Sequence, residues 1–254
     1  MELIELEECG STNSHLASIA SSCAHGTVVC ARSQTAGRGQ RGNSWESAPG
    51  ANITMSLLLR PAGLHPARQF VISEAVSLAI TGVLRRHLPG LDVRIKWPND
   101  IYVGDEKICG ILIENSITST GINHTIVGAG INVNQENFVS DAPNPVSMRR
   151  LAGHEFPLRE LTLEFAEEIV GEVDRAVEAE LRGGGSAGLE KRYFDALWRT
   201  DGFYPYVDRL RDERIEARVE SVASDGVITM ALRGGERRSY AFKEVRAVVK
   251  ESLI

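Results

Sequence analysis

Hydrophobic positions repeat with two different periods along the first two hundred residues. Residues 53–59 alternate between more and less apolar side chains, which predicts a half-buried strand. Residues 71–83 repeat with the 3,4-spacing of a helix, and this helix is expected to end near His87. Residues 91–96 alternate again, so Lys96 is predicted to project from the face opposite the apolar one. The pattern therefore predicts helices and strands mixed along the chain.

The other predicted elements follow from the same two periods and from turn residues. Ser11, Thr12 or Asn13 can cap a short helix that continues to Cys23. The polar segment 104–107 predicts the turn of a hairpin between two apolar runs. Further strands are predicted at 27–31, 101–103, 108–113 and 125–127, and further helices at 158–177 and 189–199.

A change of pattern near residue 200 predicts two domains, 1–199 and 200–254. Beyond this point the apolar segments become short strands, separated by Asp-Gly and Gly-Gly turn signals. They predict a small all-β barrel, with ten Lys or Arg and ten Asp or Glu and therefore no basic bias. The strands are expected at 215–222, 227–232, 239–242 and 245–249.

Composition and charge exclude several classes of protein. The 254 residues carry a net charge of -6 and no segment dense in Lys and Arg, which disfavours a DNA-binding role. No basic segment followed by an apolar run begins the chain, and no eighteen apolar residues are consecutive, so a cytoplasmic protein without a membrane partner is expected. The cysteines lack CxxC spacing and no HExxH motif occurs, which predicts free thiols and no zinc site.

The glycine-rich loop GRGQRGNSWES, residues 37–47, has two interpretations. It can be a solvent-exposed hairpin whose arginines provide solubility. It can instead bind an anion, since glycines let backbone N–H groups approach closely while Arg38 and Arg41 supply forked donors. The loop matches neither a P-loop nor the GxGxxG fingerprint of a dinucleotide-binding fold.

Two further segments each allow a structural and a functional interpretation. KWPNDIYV, residues 96–103, can be a turn that ends a strand, or it can hold the charge of Lys96 at a fixed place beside a rigid proline. VGAGINVN, residues 127–134, can permit close packing, or it can leave room for a flat ligand such as a purine.

Taken in order, these motifs resemble those of the biotin protein ligases. The series is STN at 11–13, SQTAGRGQRGNSW at 33–45, GANITMSLLLRP at 50–61, KWPNDIYV, KICGILIEN at 107–115 and VGAGINVN. The resemblance covers roughly residues 9 to 135. It implies an α+β catalytic domain with a mixed sheet, related to class II aminoacyl-tRNA synthetases, and a C-terminal SH3-like barrel.

The resemblance also implies a reaction. Biotin and ATP, with Mg²⁺, would give biotinyl-5'-AMP and pyrophosphate, and a lysine of a biotin carboxyl carrier domain would then attack the mixed anhydride. Arg38 and Lys96 would be the catalytic residues beside the biotin carboxylate and the phosphate. Asn99 and Asp100 would support them, while phosphate oxygens and water are expected to ligate the metal.

The remaining site residues are also assigned by the resemblance. Ser11, Thr12 and Gln34 correspond to residues around the ureido ring of biotin, Trp45 to the region that folds over the adenylate, and Asn132 to its adenine-ribose end. The other residues expected to bind biotin or its adenylate are Asn13, Gly37, Gly39, Gln40, Arg41 and Gly110.

Two features depart from better-known members of the family. The STN motif begins at residue 11, so a monofunctional ligase without a DNA-binding domain is expected. Gln40 stands where those members often have arginine, and glutamine brings hydrogen bonds but no charge. A homodimer is a further expectation from the family. A lipoate or octanoate ligase of the same fold, or a regulator that senses biotin without turnover, are the alternative functions.

Overall fold

The strands form a seven-stranded mixed sheet and a five-stranded antiparallel sheet. This computed structural model describes residues 1–40, 44–119, 121–139, 144–183, 185 and 187–249. The predicted mixture of helices and strands is therefore confirmed.

The larger sheet has the order β1-β2-β3-β7-β6-β5-β4. The β1 and β2 strands are parallel, and the other neighbours are antiparallel. A strand at the N-terminal edge, β1, was not predicted. The strands are β1 (Leu3–Cys9), β2 (Val28–Gln34), β3 (Ile53–Leu59), β4 (Val93–Lys96), β5 (Asp100–Val103), β6 (Glu106–Thr118) and β7 (Gly121–Ile131).

The central strand β3 is buried on both faces, so the prediction of a half-buried strand was wrong. Leu57 on one face joins the main core, whereas Leu58 on the other face packs in a smaller cluster with Leu16. Leu16 belongs to α1 (Thr12–Ile19), the short helix predicted after the STN motif. Alternation alone cannot show that a helix from a distant part of the chain covers the second face.

The main core is built on a long helix, α2 (Phe70–His87), which matches the predicted helix closely. The segment 66–87 is long and apolar enough to span a membrane, but 67% of its most apolar window is buried, as in a core helix. The α4 helix (Leu158–Leu181) packs along α2. A short helix that was not predicted, α3 (Met148–Ala152), precedes α4.

The edge strand β4 is covered by the chain that follows α5 (Ala187–Asp195). The backbone N–H of Ile95 donates to the carbonyl of Ala196 at 2.9 Å, and the N–H of Trp198 donates to the carbonyl of Ile95 at 2.9 Å. The predicted helix 189–199 therefore ends four residues early, because its last residues pair with the sheet instead.

The smaller sheet has the order β11-β10-β9-β8-β12. Its strands match the predicted short strands except for β8, whose internal Pro205 is unusual in a strand and hid the pattern. The closed barrel shape and the boundary near residue 200 stay predictions. The strands are β8 (Tyr204–Asp208), β9 (Glu213–Val222), β10 (Ile228–Leu232), β11 (Arg237–Tyr240) and β12 (Val245–Ala247).

Trp97, between β4 and β5, anchors the larger sheet to the smaller one. Its indole Nε1 donates to the carbonyl of Gly226 at 3.0 Å, and its ring packs edge-on against Phe242 with centroids 5.3 Å apart. The turn that follows β4 is therefore fixed to the C-terminal segment by one hydrogen bond and one aromatic contact.

Candidate functional site

A cavity of about 1610 Å³ lies between the two sheets and is lined by residues of both. Gly37 is not among the residues that line the cavity, and Arg41 lies outside the described residues. The structure thus brings together motifs that are far apart in sequence, from Ser11 to Asn132. The predicted residues that line the cavity are Ser11, Thr12, Asn13, Gln34, Arg38, Gly39, Gln40, Trp45, Lys96, Asn99, Asp100, Gly110 and Asn132.

The STN motif forms a polar network at one end of the cavity. The backbone N–H of Thr12 donates to Oε1 of Gln34 at 2.8 Å. The hydroxyl of Ser56 donates to Oδ1 of Asn13 at 2.5 Å, and its oxygen lies 2.8 Å from Oγ1 of Thr12. Ser11 is buried before α1 without a side-chain capping bond. The network offers hydrogen-bonding groups held in place within an otherwise apolar wall.

Glu114 on β6 joins this network to Arg38. Its Oε2 accepts from Nδ2 of Asn13 at 2.7 Å and from the guanidinium of Arg38 at 2.9 Å. The ion pair is 44% and 40% exposed, and such pairs contribute only about 0–1 kcal/mol. A ligand anion can therefore compete for Arg38. Sequence reasoning quoted the segment around Glu114 but gave this residue no role.

A carboxylate joins two lysines at the other end of the cavity. Asp100 lies 2.7 Å from Nζ of Lys107 and 3.4 Å from Nζ of Lys96. Burial opposes the ionisation of Asp100, but Lys107 and then Lys96 outweigh it and hold its pKa below the ordinary value. Asp100 thus fixes two ammonium groups beside each other.

Lys107 was missed by sequence reasoning, which placed it in the turn 104–107. It lies instead in β6, and the hairpin register pairs it with Tyr102 on β5. Lys96 has its ammonium 5.1 Å from the Tyr102 ring centroid. The pairing of β5 and β6 is what brings both lysines to the same carboxylate.

Asn99 holds the turn after β4 against β6. Its Nδ2 donates to the carbonyl of Ile111 at 2.8 Å, and its carbonyl accepts from the N–H of Ile111 at 2.9 Å. These two bonds position the segment that carries Lys96 and Asp100, so Asn99 has a structural contact consistent with a supporting role.

The indole of Trp45 covers two glycines of neighbouring strands. Gly110 on β6 pairs with Gly130 on β7. A Cβ atom at position 110 would lie 2.9 Å from Cζ3 of the indole, and one at position 130 would overlap its Cε2. The glycines of VGAGINVN thus lie within a strand and permit close packing of side chains, Gly130 against Trp45 and Gly128 against Asn13.

The loop that carries Arg38 is closed by backbone contacts to Trp45. The N–H of Trp45 donates to the carbonyl of Gly37 at 3.0 Å, and Arg38 forms an isolated bridge with Ser44. A Cβ atom at position 37 would lie 2.8 Å from the carbonyl oxygen of Trp45, which explains the glycine.

Asn132 is buried at the end of β7 and bonds mainly to backbone. Its N–H donates to the carbonyl of Ile108 at 2.9 Å, and its Nδ2 lies 3.4 Å from the carbonyl of Lys107. It therefore positions the start of β6 while it lines the cavity.

The described residues contain no group of three or more His, Cys, Asp or Glu side chains that could hold a metal ion. Of the acidic residues that line the cavity, Asp100 is paired with Lys107 and Lys96, and Glu46 accepts hydrogen bonds from Nε2 of Gln135 and from the N–H of Val139. All four cysteines are free thiols, as predicted. Basic side chains outnumber acidic ones in the cavity lining, so an anion that enters would meet mainly positive groups, Arg38, Lys96 and Lys107 among them.

Comparisons of the sequence and of the structure with known proteins both find biotin ligases. Residues 10–132 match the biotin/lipoate A/B protein ligase family. The chain is 30% identical over 247 residues to "Bifunctional ligase/repressor BirA" of Escherichia coli, covering 94% of this chain and 68% of that one. It is 34% identical over 155 residues to "Biotin--[acetyl-CoA-carboxylase] ligase" of Paracoccus denitrificans, covering 59% and 63%.

The match to the Bacillus proteins of the bifunctional type spans about half of their length. Among solved structures, the biotin protein ligase of Aquifex aeolicus in complex with biotin and ATP superposes with a TM-score of 0.75. It shares 21% identity, and the superposition covers 97% of this chain and 99% of that one. This similarity shows a common fold.

Proposed function

This chain belongs to the biotin/lipoate A/B protein ligase family, and we propose that it activates biotin with ATP and transfers it to a lysine of an acceptor protein. The observation that carries the proposal is the convergence of Arg38, Lys96 and Lys107 on one cavity with the polar network around Thr12. Cations that converge on one place can bring together a carboxylate and a triphosphate, which otherwise repel each other.

In the first step a carboxylate oxygen of biotin attacks the α-phosphorus of ATP. The bond from that phosphorus to the bridging oxygen breaks, and pyrophosphate leaves with the electron pair. Arg38 would exchange Glu114 for the incoming anions, while Lys96 and Lys107 offset the charge on the phosphate oxygens. Asp100 keeps the two ammonium groups in position and does not itself react.

In the second step a lysine amine of the acceptor attacks the acyl carbon of biotinyl-AMP. The amide bond forms, AMP leaves with the electrons of the anhydride bond, and the amine gives up a proton to solvent. The polar network of Thr12, Asn13 and Gln34 would hold the ureido ring during both steps. Trp45 would limit the access of water to the anhydride.

The metal would enter as part of the substrate MgATP. Asp100 is held by Lys96 and Lys107, and the described residues contain no group of three or more His, Cys, Asp or Glu side chains that could hold a metal, so the residues fit a metal held by phosphate oxygens and water rather than by the protein. Mg²⁺ would supply charge neutralisation of the phosphates.

The acceptor is proposed to be a biotin carboxyl carrier domain, supported by the name of the Paracoccus relative. A reducing, cytoplasmic location is supported by the four free thiols. The finer fold assignment, a class II aminoacyl-tRNA synthetase-like domain with an SH3-like barrel, and a homodimer are also proposals. We propose that DNA is not a partner of residues 1–254, because their net charge is -6 and no segment is dense in Lys and Arg.

The deciding experiment is the exchange of labelled pyrophosphate into ATP. Exchange that depends on biotin and is unaffected by lipoate or octanoate supports the proposal. Exchange with lipoate or octanoate instead would identify an acyl ligase. Biotin binding without exchange or transfer to an acceptor domain would indicate a regulator that senses biotin.

A further inference from the structure

Trp198, on the segment between α5 and β8, bonds to the backbone beside both Lys96 and Lys107. Its N–H donates to the carbonyl of Ile95, which directly precedes Lys96 on β4, at 2.9 Å. Its indole Nε1 donates to the carbonyl of Gly104, in the turn that leads from β5 to Lys107, at 2.9 Å. A single residue from a distant part of the chain thus joins the two strand ends that carry the lysines.

Tyr102 on β5 extends this contact to the lysine side chains. Its ring packs against the indole of Trp198 with centroids 5.3 Å apart, and it is buried. The ammonium of Lys96 lies 5.1 Å from the same tyrosine ring, and Lys107 is the strand partner of Tyr102. A displacement of the indole would therefore reach both lysines.

The side chain of Arg199 holds the indole in place. The guanidinium lies 3.8 Å from the centroid of the Trp198 ring and 4.9 Å from that of Tyr204. It also donates to the carbonyl of Val248 at 2.9 Å and pairs with Asp105, in the turn before Lys107, at 3.5 Å. Only 9% of the Arg199 side chain is exposed, and a cation interacts more strongly with an aromatic ring when it is removed from water.

The backbone of Arg199 is itself constrained, with a φ of 60°. This left-handed conformation is uncommon for a residue with a side chain, and it persists only where the surrounding contacts fix it. The ion pair with Asp105 adds little stability, because that carboxylate is 60% exposed. The contacts of Arg199 therefore fix a geometry more than they stabilise the fold.

We propose that Trp198 and Arg199 are positioning residues for the adenylation step, in which Arg199 fixes the indole and the indole fixes the strands that carry Lys96 and Lys107. This inference rests on the proposed function. Neither residue has to touch a substrate, because both act through the lysines. Such a role is needed because a small misplacement of a group at a reacting centre lowers the rate strongly.

The test compares Arg199→Gln with Arg233→Gln. Arg233 also lies over an aromatic ring, that of Phe203 at 5.2 Å, and pairs with Glu216, so its contacts do not reach the lysines. We expect kcat for biotin-dependent pyrophosphate exchange to fall about tenfold in Arg199→Gln, with the KM for biotin unchanged. Arg233→Gln should keep the wild-type kcat.

A second variant, Arg199→Lys, keeps the charge but loses the planar stack on the indole. We expect an intermediate loss in kcat of about threefold. This variant also provides the measurement if Arg199→Gln does not fold. A wild-type kcat in both variants would overturn the proposal.

A double-mutant cycle with Lys107→Ala separates positioning from a general effect on stability. In the Lys107→Ala background, Arg199→Gln should lower the adenylation rate by at most about threefold, because only Lys96 remains to be displaced. A residue that only stabilises the fold would lower the rate by the same factor in both backgrounds. That result would overturn the positioning role.

Hydrogen exchange of segment 104–107 separates this inference from the proposed function, because it needs no activity. The N–H of Gly104 donates to the carbonyl of Asp92 at 3.0 Å, and that of Lys107 donates to the carbonyl of Asn144 at 2.7 Å. We expect exchange in this segment to become about tenfold faster in Arg199→Gln and to stay unchanged in Arg233→Gln.

Faster exchange of this segment in a chain without biotin-dependent activity would keep the structural link to Lys107 and remove the ligase function. Unchanged hydrogen exchange together with an unchanged kcat would overturn the link in an active ligase.

Discussion

The backbone of Gly130 lies directly under the indole of Trp45, so that a Cβ atom at this position would overlap the ring. The position of the indole therefore depends on the absence of a side chain in the middle of β7. Since Trp45 also belongs to the loop that carries Arg38, the sheet and the loop are linked at this contact.

Gly130→Ala should displace the indole and lower biotin-dependent pyrophosphate exchange by at least about tenfold, since a misplaced group at a reacting centre costs one to two orders of magnitude. Exchange assays and the tryptophan emission spectrum measure the two effects. The matched control is Gly82→Ala in α2, where a Cβ atom would meet nothing within 4 Å. Wild-type exchange in Gly130→Ala would contradict a role for the Trp45 contact.

Lys107→Ala should reduce adenylation at least as much as Lys96→Ala. Each change removes one of two cations on Asp100, and the loss of one preorganised group of this kind costs about 10²-fold in rate. Single-turnover formation of biotinyl-AMP measures the loss, and Lys191→Ala on the exposed face of α5 is the control. Near-normal adenylation in Lys96→Ala would show that Lys96 takes no part in the reaction.

Asp100→Asn should leave two ammonium groups beside each other without a counter-charge. We expect a loss of roughly 2–3 kcal/mol in the free energy of unfolding at pH 7. The folded-state pKa of Asp100 is below its ordinary value, so its contribution is present at neutral pH and is lost as the pH falls through that lower pKa. Urea unfolding of both proteins should therefore give free energies that converge in acid. A constant difference down to pH 2 would contradict the pairing.

Glu74 should make the protein less stable as the pH rises. Burial, and then the nearby Glu190, raise its pKa to about 8 from 4.5, against the opposing effect of Arg68. Its folded form therefore holds a proton that the unfolded chain releases above its ordinary pKa. The free energy of unfolding should fall by roughly 2–4 kcal/mol between pH 5 and 8. Glu74→Gln should remove this fall, and the control Glu167→Gln should retain it. If the free energy of unfolding changed with pH by the same amount in the wild type and both variants, a buried neutral carboxyl group at Glu74 would be ruled out.

Gln40→Arg should slow the dissociation of preformed biotinyl-AMP. Gln40 lines the cavity, and replacing a neutral donor by a charged one contributes about 1 kcal/mol, or roughly fivefold in the rate. A chase with unlabelled biotin measures the rate, and Gln40→Glu should accelerate it. An unchanged rate in Gln40→Arg would mean that position 40 does not retain the adenylate.

The sequence predicted the helices of the core and the motifs of the cavity more reliably than it predicted which elements pack against each other. The α2 helix has a continuous apolar stripe, which is a local property of the chain. The burial of both faces of β3 depends on α1, which is forty residues away. Local periodicity carries no information about such a contact.

The same limit explains which site residues were missed. Arg38 and Lys96 stand in motifs with recognisable order, whereas Lys107 and Glu114 gain their roles only through strand pairing. The register of β5 with β6 places Lys107 beside Asp100, and Glu114 meets Arg38 across a distance of 76 residues in sequence. One available signal was the position of Lys107 and Glu114, which stand directly on either side of the apolar run 108–113.

The anchoring of Trp97 has a consequence for how the family can diverge. Its indole bonds to the carbonyl of Gly226 and packs against Phe242, and a Cβ atom at position 226 would lie 3.1 Å from Cζ of Phe242, so a change in size at one of these positions disturbs its neighbour. Substitutions at these positions should therefore be inherited together, and exchange of the C-terminal segment between distant relatives should succeed only when the donor segment matches the recipient at position 97. We therefore expect the boundary between the two sheets to change as a unit among related chains.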